Sequence, residues 1–175
     1  MEKATQKGRL LEIFTPLGED HLLIRKLDVT EGLSQLFTIE VELLFEEGKE
    51  RMKTTVVTPE SILGKPATIL LNQNKAQGEF RYFSGIVNRI SQGARTEKFS
   101  MYSATIVPHV WLLTQRTQSR IFPDMTVPDI LDKVLHGFTL LKNLSGDYKP
   151  RTYCVQYRET DWDFACRLME EEGIF

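Results

Sequence analysis

Phe37-Thr-Ile39-Glu-Val41-Glu-Leu43 alternates apolar and polar side chains without interruption. Successive side chains of a strand point to opposite faces, so this stretch describes a strand with one buried and one wet face of a sheet.

Working outward, the neighbouring segments read the same way. Arg9–Thr15 and His21–Val29 flank Pro16-Leu-Gly18-Glu-Asp20, a five-residue, turn-rich gap suited to a hairpin connection. Ala67–Leu71, Phe80–Ile90 and Phe99–Val107 are further strand candidates, separated by turns rich in Asn, Gln and Gly. Gly85, inside one of them, predicts a bulge or sharp bend of the kind that curls a sheet into a barrel.

Helices are inserted rather than alternating with strands. Thr58-Pro-Glu-Ser61 has an N-cap and a proline at the first helical position, but Gly64 and Pro66 limit it to one or two turns, near 58–64. Thr126-Val-Pro-Asp129 opens a longer helix, carried by the stripe Val127, Ile130, Leu131, Val134, Leu135 and Phe138 and expected over 126–142. After a turn-rich loop over Asn143–Pro150, Thr152–Tyr157 alternates again as a strand. A final helix over 160–172 is capped by Thr160, with Asp163 in capping-box position, and stopped by Gly173. Its stripe is Trp162, Ala165, Cys166 and Met169, widened by Phe164 and Leu168. Glu170, Glu171 and Glu172 oppose the helix dipole, which fits either a solvated face or a basic partner surface. The element order argues for a mainly β fold, a curled antiparallel sheet or β-barrel with helical insertions, and not a parallel α/β sheet.

Composition sets outer bounds. The 175 residues are 41% hydrophobic and 26% charged, ordinary for a globular protein with a core. A net charge of −2 gives no electrostatic reason to expect nucleic acid or an anionic membrane as main partner. No apolar run approaches the roughly 18 residues of a spanning helix. The opening MEKATQKGRLL lacks the apolar core of a signal peptide. Cys154 and Cys166 form neither a CxxC motif nor a disulfide framework and are expected to be reduced and buried.

Motifs of chemistry are sparse. His21, His109 and His136 stand in unrelated contexts without metal-ligand spacing. Leu63-Gly64-Lys65-Pro66 resembles the end of a phosphate-binding loop, but Pro59 stands where the first glycine belongs and Pro66 replaces the Ser/Thr. Asp161 and Asp163, two apart on a helix, point to different faces and make a poor acid/base pair. The expected catalytic, cofactor-binding and metal residues are therefore none.

Several stretches agree in order and spacing with one known family. They are Arg81-Tyr-Phe-Ser-Gly-Ile-Val-Asn-Arg-Ile90, Pro108-His-Val-Trp111-Leu-Leu-Thr-Gln-Arg116, Ser119-Arg-Ile-Phe122 and Val127-Pro-Asp-Ile-Leu131. Tyr153-Cys-Val-Gln-Tyr157-Arg-Glu-Thr-Asp161 and Phe164-Ala-Cys-Arg167-Leu-Met-Glu-Glu-Glu-Gly173-Ile174 complete the set. Together they resemble the amino-terminal region of VgrG, the spike protein family of type VI secretion systems. That region is similar to the hub proteins of contractile phage tails and to the late control protein D family.

The resemblance implies a split-barrel-like phage tail fold. Residues 1–175 would form the first barrel-like domain of a hub, truncated before a second barrel, an oligonucleotide-binding-like domain and a trimeric β-helix needle. It implies a structural, non-enzymatic role without cofactors, as the base of a trimeric membrane-puncturing spike. The implied partners are two further copies in the full-length protein, the hexameric tube protein Hcp, and effector or tip proteins bound through absent later parts. Nucleic acid and a membrane-spanning segment are not among them. It further implies assembly in the bacterial cytoplasm and export through the machine without a signal peptide. Some family members carry catalytic domains at the far carboxyl end. Trp111, Ile121, Phe122, Ile130 and Phe164 are expected in the core. Arg116, Arg120 and Arg167 are expected to pair with carboxylates within the chain or between subunits. The alternative is a small-ligand-binding barrel lined by Arg81–Val87, which requires an enclosed pocket of roughly 300–1,000 Å³.

Overall fold

The computed structural model describes residues 4–47, 57–74 and 78–175. It divides into two compact units, residues 1–32 with 36–108 and residues 33–35 with 109–175, where the sequence suggested one domain over 1–175. The division follows the cores: the two buried apolar clusters share no residue.

The first unit is a six-stranded antiparallel sheet. Its strands are β1 (Leu11–Phe14), β2 (Leu23–Thr30), β3 (Thr38–Glu46), β4 (Pro66–Asn74), β5 (Glu79–Arg95) and β6 (Phe99–Val107), hydrogen-bonded in the order β1-β4-β5-β6-β3-β2. Residues of both outermost strands, Ile13 and Ile24, share one core with Ile69, Val87 and Ile106 from the middle, so the sheet is curled around its own inner face. The alternation of β3 lands as expected, with Ile39, Val41 and Leu43 buried and Phe37 packed against the cluster. A single helical turn, α1 (Pro59–Ile62), buries Ile62 in the same core.

Gly85 serves a purpose other than a bulge. The register shift falls after Val87, while Gly85 pairs with the buried Ala67 on the inner face. A Cβ built on Gly85 would lie 2.2 Å from the Val107 carbonyl oxygen. The end of β6 crosses here too closely for any side chain.

The second unit pairs β7 (Thr117–Met125) with β8 (Arg151–Thr160) and packs α2 (Val127–Val134) and α3 (Asp161–Glu172) with a 3₁₀ segment, His109–Gln115. Thr126 and Thr160 cap their helices as the sequence predicts, each hydroxyl accepting from the N–H three residues on, Asp129 and Asp163 respectively. At the far end of α3 the N–H of Gly173, left-handed at φ 67°, donates to Glu170 O, and that of Ile174 donates to Met169 O. This double closure is a Schellman motif.

Four expectations are corrected in this unit. The helix expected over 126–142 ends at Val134, because Leu135 leaves helical geometry and Gly137 takes φ +95°, although Phe138 still packs on the core. The buried stripe of α3 is Asp161, Phe164, Ala165 and Leu168, rotated from the predicted centre. Cys154 is buried but Cys166 only half-buried; burial raises the Cys166 thiol pKa, helped by Glu170 and Asp163. Phe122, Ile130 and Phe164 are core residues, whereas Ile121 is 58% exposed and Trp111 half-buried outside either cluster. The 3₁₀ geometry turns Leu113 inward instead. Leu113→Ala is therefore expected to cost about 2.5 kcal/mol in chemical denaturation and Trp111→Ala about 1 kcal/mol or less. Equal costs would refute this inside-out assignment.

Candidate functional site

In an antiparallel pair, directly opposed residues share a face. On β7 and β8 the pairs Phe122 with Cys154 and Arg120 with Gln156 turn toward the helices. Ile121 with Val155, Pro123 with Tyr153 and Ser119 with Tyr157 turn away. The inward face holds an ion-pair clamp, and the outward face is apolar and open.

Asp161 is the centre of the clamp. It is the first residue of α3 and is fully buried. Arg116 Nε donates to its Oδ2, and Arg120 Nη2 donates to its Oδ1. Gln156 Nε2 donates to the same Oδ1 at 2.9 Å and accepts at its own Oε1 from Arg120 Nε at 2.8 Å. The backbone is tied as well, Asp161 N–H donating to Arg116 O at 2.9 Å. Both oxygens of the buried carboxylate thus have partners, the condition under which a buried charge is tolerated. The position also suits an acid, because the first turn of a helix presents unpaired N–H groups and positive potential.

A second set of ion pairs fastens the other end of α3. Arg167 Nη2 donates to Glu159 Oε1 at 2.7 Å and to Val155 O at 3.0 Å. Arg151 bridges Glu171 and Glu172, which holds the Glu171 carboxyl below the usual carboxylate range. Of the acidic run, Glu171 and Glu172 therefore find their basic partners within the chain. The three arginines singled out in the sequence also pair internally, two of them on one carboxylate. Asp161 and Gln156 were missed. The available signal was a pair of arginines four apart, with no carboxylate between Glu97 and Asp124.

Outside, Ile121, Tyr153 and Tyr157 are 58%, 63% and 66% exposed. Arg158 is the extra residue where the register shifts, left-handed at φ 52°, with its guanidinium 5.3 Å from the Tyr157 ring centroid. Such a surface is suited to contact rather than to chemistry, since Tyr and Arg dominate the energetics of protein interfaces. Among the described residues, no group of three His, Cys, Asp or Glu side chains has metal-holding geometry. In the first unit, a cavity of about 110 Å³ lies between Val57, Thr58, Pro59, Ile90, Ser91, Gln92 and Tyr102.

Comparison with known proteins gives a consistent picture. Residues 30–175 match the family described as the phage tail baseplate hub (GPD). Over 174 residues, 98% of this chain, the sequence is 40% identical to the type VI secretion system spike protein VgrG1c of Pseudomonas aeruginosa, of which it spans 23%. It is 37% identical over 170 residues to the actin cross-linking toxin VgrG1 of Vibrio cholerae, covering 90% of this chain and 15% of the toxin. In structure it is similar to the E. coli c3393 protein, a type VI secretion system component itself described as similar to the T4 bacteriophage tail proteins gp27 and gp5. The TM-score is 0.67 with 25% identity, over 86% of this chain and 42% of that one.

Proposed function

Since the chain belongs to the phage tail baseplate hub (GPD) family, we propose that it forms part of the structural hub at the base of a type VI secretion spike. The observation that carries this reading is 40% identity to a spike protein over 98% of this chain. The clamp fits the role, because it spends its charged groups on rigidity. In a full-length spike protein carrying this region, three copies would form a ring seated on the hexameric tube protein Hcp, internal duplication of the barrel matching threefold to sixfold symmetry. Effectors would travel on later parts of the polypeptide. Assembly would take place in the bacterial cytoplasm, with export through the machine.

The region would contribute no catalytic step of its own. The relative named as a toxin is matched over only 15% of its length, which leaves ample chain for chemistry elsewhere in that protein. A ligand-binding barrel is less well supported: the inner face is filled by side chains such as Ile39, Ile69 and Ile106, and the cavity near Tyr102 is well below the usual ligand range of roughly 300–1,000 Å³.

Two measurements test the reading. Residues 1–175 alone are expected to be monomeric at micromolar concentration by light scattering, because association costs of ~4–15 kcal/mol need a large interface. The longer protein is expected to be a trimer. Deleting this region from the longer protein should abolish release of the tube protein into the medium. Unimpaired release would refute the hub assignment.

A further inference from the structure

The outer face of the first sheet is divided in two. Across β2, β3 and β6 its opposed rows read Asp28–Glu40–Thr105 and Lys26–Glu42–Ser103, polar throughout. Across β1, β4 and β5 the opposed row is Glu12–Leu70–Tyr82. Leu10, Phe14 and Phe80 stand two residues from members of that row and point the same way. Leu10, Phe14, Phe80 and Tyr82 are 61%, 43%, 48% and 61% exposed. Among these side chains Glu12 alone is charged. Its Oε1 accepts the Gly8 N–H at 3.2 Å, and among the described residues no cation pairs with it.

The outward face of β7 and β8 is the counterpart in the second unit. Ile121, Tyr153, Val155 and Tyr157 make it apolar and aromatic, and its charge is Arg158. Arg116 and Arg120 pair with Asp161, while Arg151 and Arg167 pair with glutamates. Arg158 is thus the one arginine of the second unit without a carboxylate partner. Its left-handed backbone at a register shift is a cost, and such bulges serve to aim a side chain.

We propose that the outer β1-β4-β5 face of one copy of this chain seats the outer β7-β8 face of a second copy, with Glu12 against Arg158. Both faces are apolar sheet surfaces, and each carries a single unneutralised charge of opposite sign. Like against like would press two carboxylates or two guanidiniums together as water leaves, whereas the mixed contact neutralises both. Each copy therefore offers one face and receives the other, a head-to-tail contact that closes into a ring where the rotation allows. This supplies a contact for the ring of the proposed function and rests on that reading. Three strands about 4.8 Å apart, with outward residues about 6.8 Å apart along each, offer roughly 300 Å² of face. Stable complexes of free proteins bury about 800 Å² per partner, so the isolated chain stays monomeric at micromolar concentration. The contact then forms only at higher concentration or within the longer protein.

Charge reversal tests the pairing, read by sedimentation equilibrium on residues 1–175. The original protein is expected to self-associate with a dissociation constant between about 0.1 and 1 mM. Glu12→Arg or Arg158→Glu alone is expected to weaken this at least about fivefold, the scale of a close charge pair across an interface. An equimolar mixture of the two variants is expected to regain it, because the reversed face of each meets the reversed face of the other. No association of the original protein by about 1 mM, unchanged association of either variant, or no recovery on mixing overturns the proposal. If a variant fails to fold, backbone amide shifts of the original protein on dilution decide. Shifts at Glu12, Leu70 and Tyr82 together with Tyr153 and Tyr157 support the contact; shifts at one face only, or at neither, overturn it. The hub reading is judged separately, by release of the tube protein, and survives a failure here.

Discussion

Gly85→Ala is expected to destabilise the first unit by about 4 kcal/mol or more, enough to unfold it or leave it poorly expressed. The added methyl would lie 2.2 Å from Val107 O, 2.9 Å from Val107 C and 3.0 Å from Ile106 Cγ2. Overpacking usually costs about 1–3 kcal/mol because side chains yield. Here the obstacle is backbone, and moving it breaks the pairing of Ile86 with Val107. The glycine is not required for its dihedrals, as it is absent from the left-handed glycines. Gly93→Ala on the same strand is the control: its Cβ would meet Met101 O at 3.7 Å, an ordinary contact. A change within about 1 kcal/mol is expected there. Similar urea midpoints for both variants would show that β6 can retreat from β5.

The second large effect is an asymmetry in the Asp161 clamp. Removing both Arg116 and Arg120 strands a carboxylate with no exposed surface, while removing Asp161 leaves two guanidiniums that are already 52% and 27% exposed. Breaking a buried pair from one side costs about 3–5 kcal/mol when the survivor cannot reach water. The double arginine variant to alanine should approach that value. Asp161→Ala should cost appreciably less, because both arginines can rehydrate, leaving mainly the lost bond to Gln156. A thermal melt in which Asp161→Ala is the more damaging change would reverse this account of where the desolvation lies.

The sequence announced some of this structure clearly. β3 was legible because each apolar residue has a polar neighbour and one face meets water. α3 was legible because Thr160, Asp163 and Gly173 are local signals, bonded within a few residues. β7 was not. Its inward positions include Arg120, whose partner Asp161 lies 41 residues away, and its outward positions include exposed Ile121 and Pro123. No period-two pattern survives such an inversion. Pro123 also argues against a strand, yet a two-stranded ribbon has only edges, where a missing N–H is tolerated. The clamp was half legible: the arginines asked for carboxylates, but an acid just inside a helix N-terminus looks like surface. Likewise Trp111 was expected in the core as a motif residue, and only the 3₁₀ geometry shows that Leu113 turns inward instead.

The strand order has a consequence for synthesis on the ribosome. β6 is the last strand of the first unit to emerge, yet it lies between β5 and β3. Until Phe99–Val107 is available, the nascent chain holds two separate ribbons, β1-β4-β5 and β3-β2, each ending in an open edge of the kind that aggregates. Residues 11 to 95 cannot merge into one sheet however long translation pauses. Chains stalled with Phe99 still in the exit tunnel should be cut readily by protease, and those stalled with Val107 well clear of it should resist. The central strand is the closing stitch, and nine residues made late decide whether the preceding hundred are a protein or a hazard.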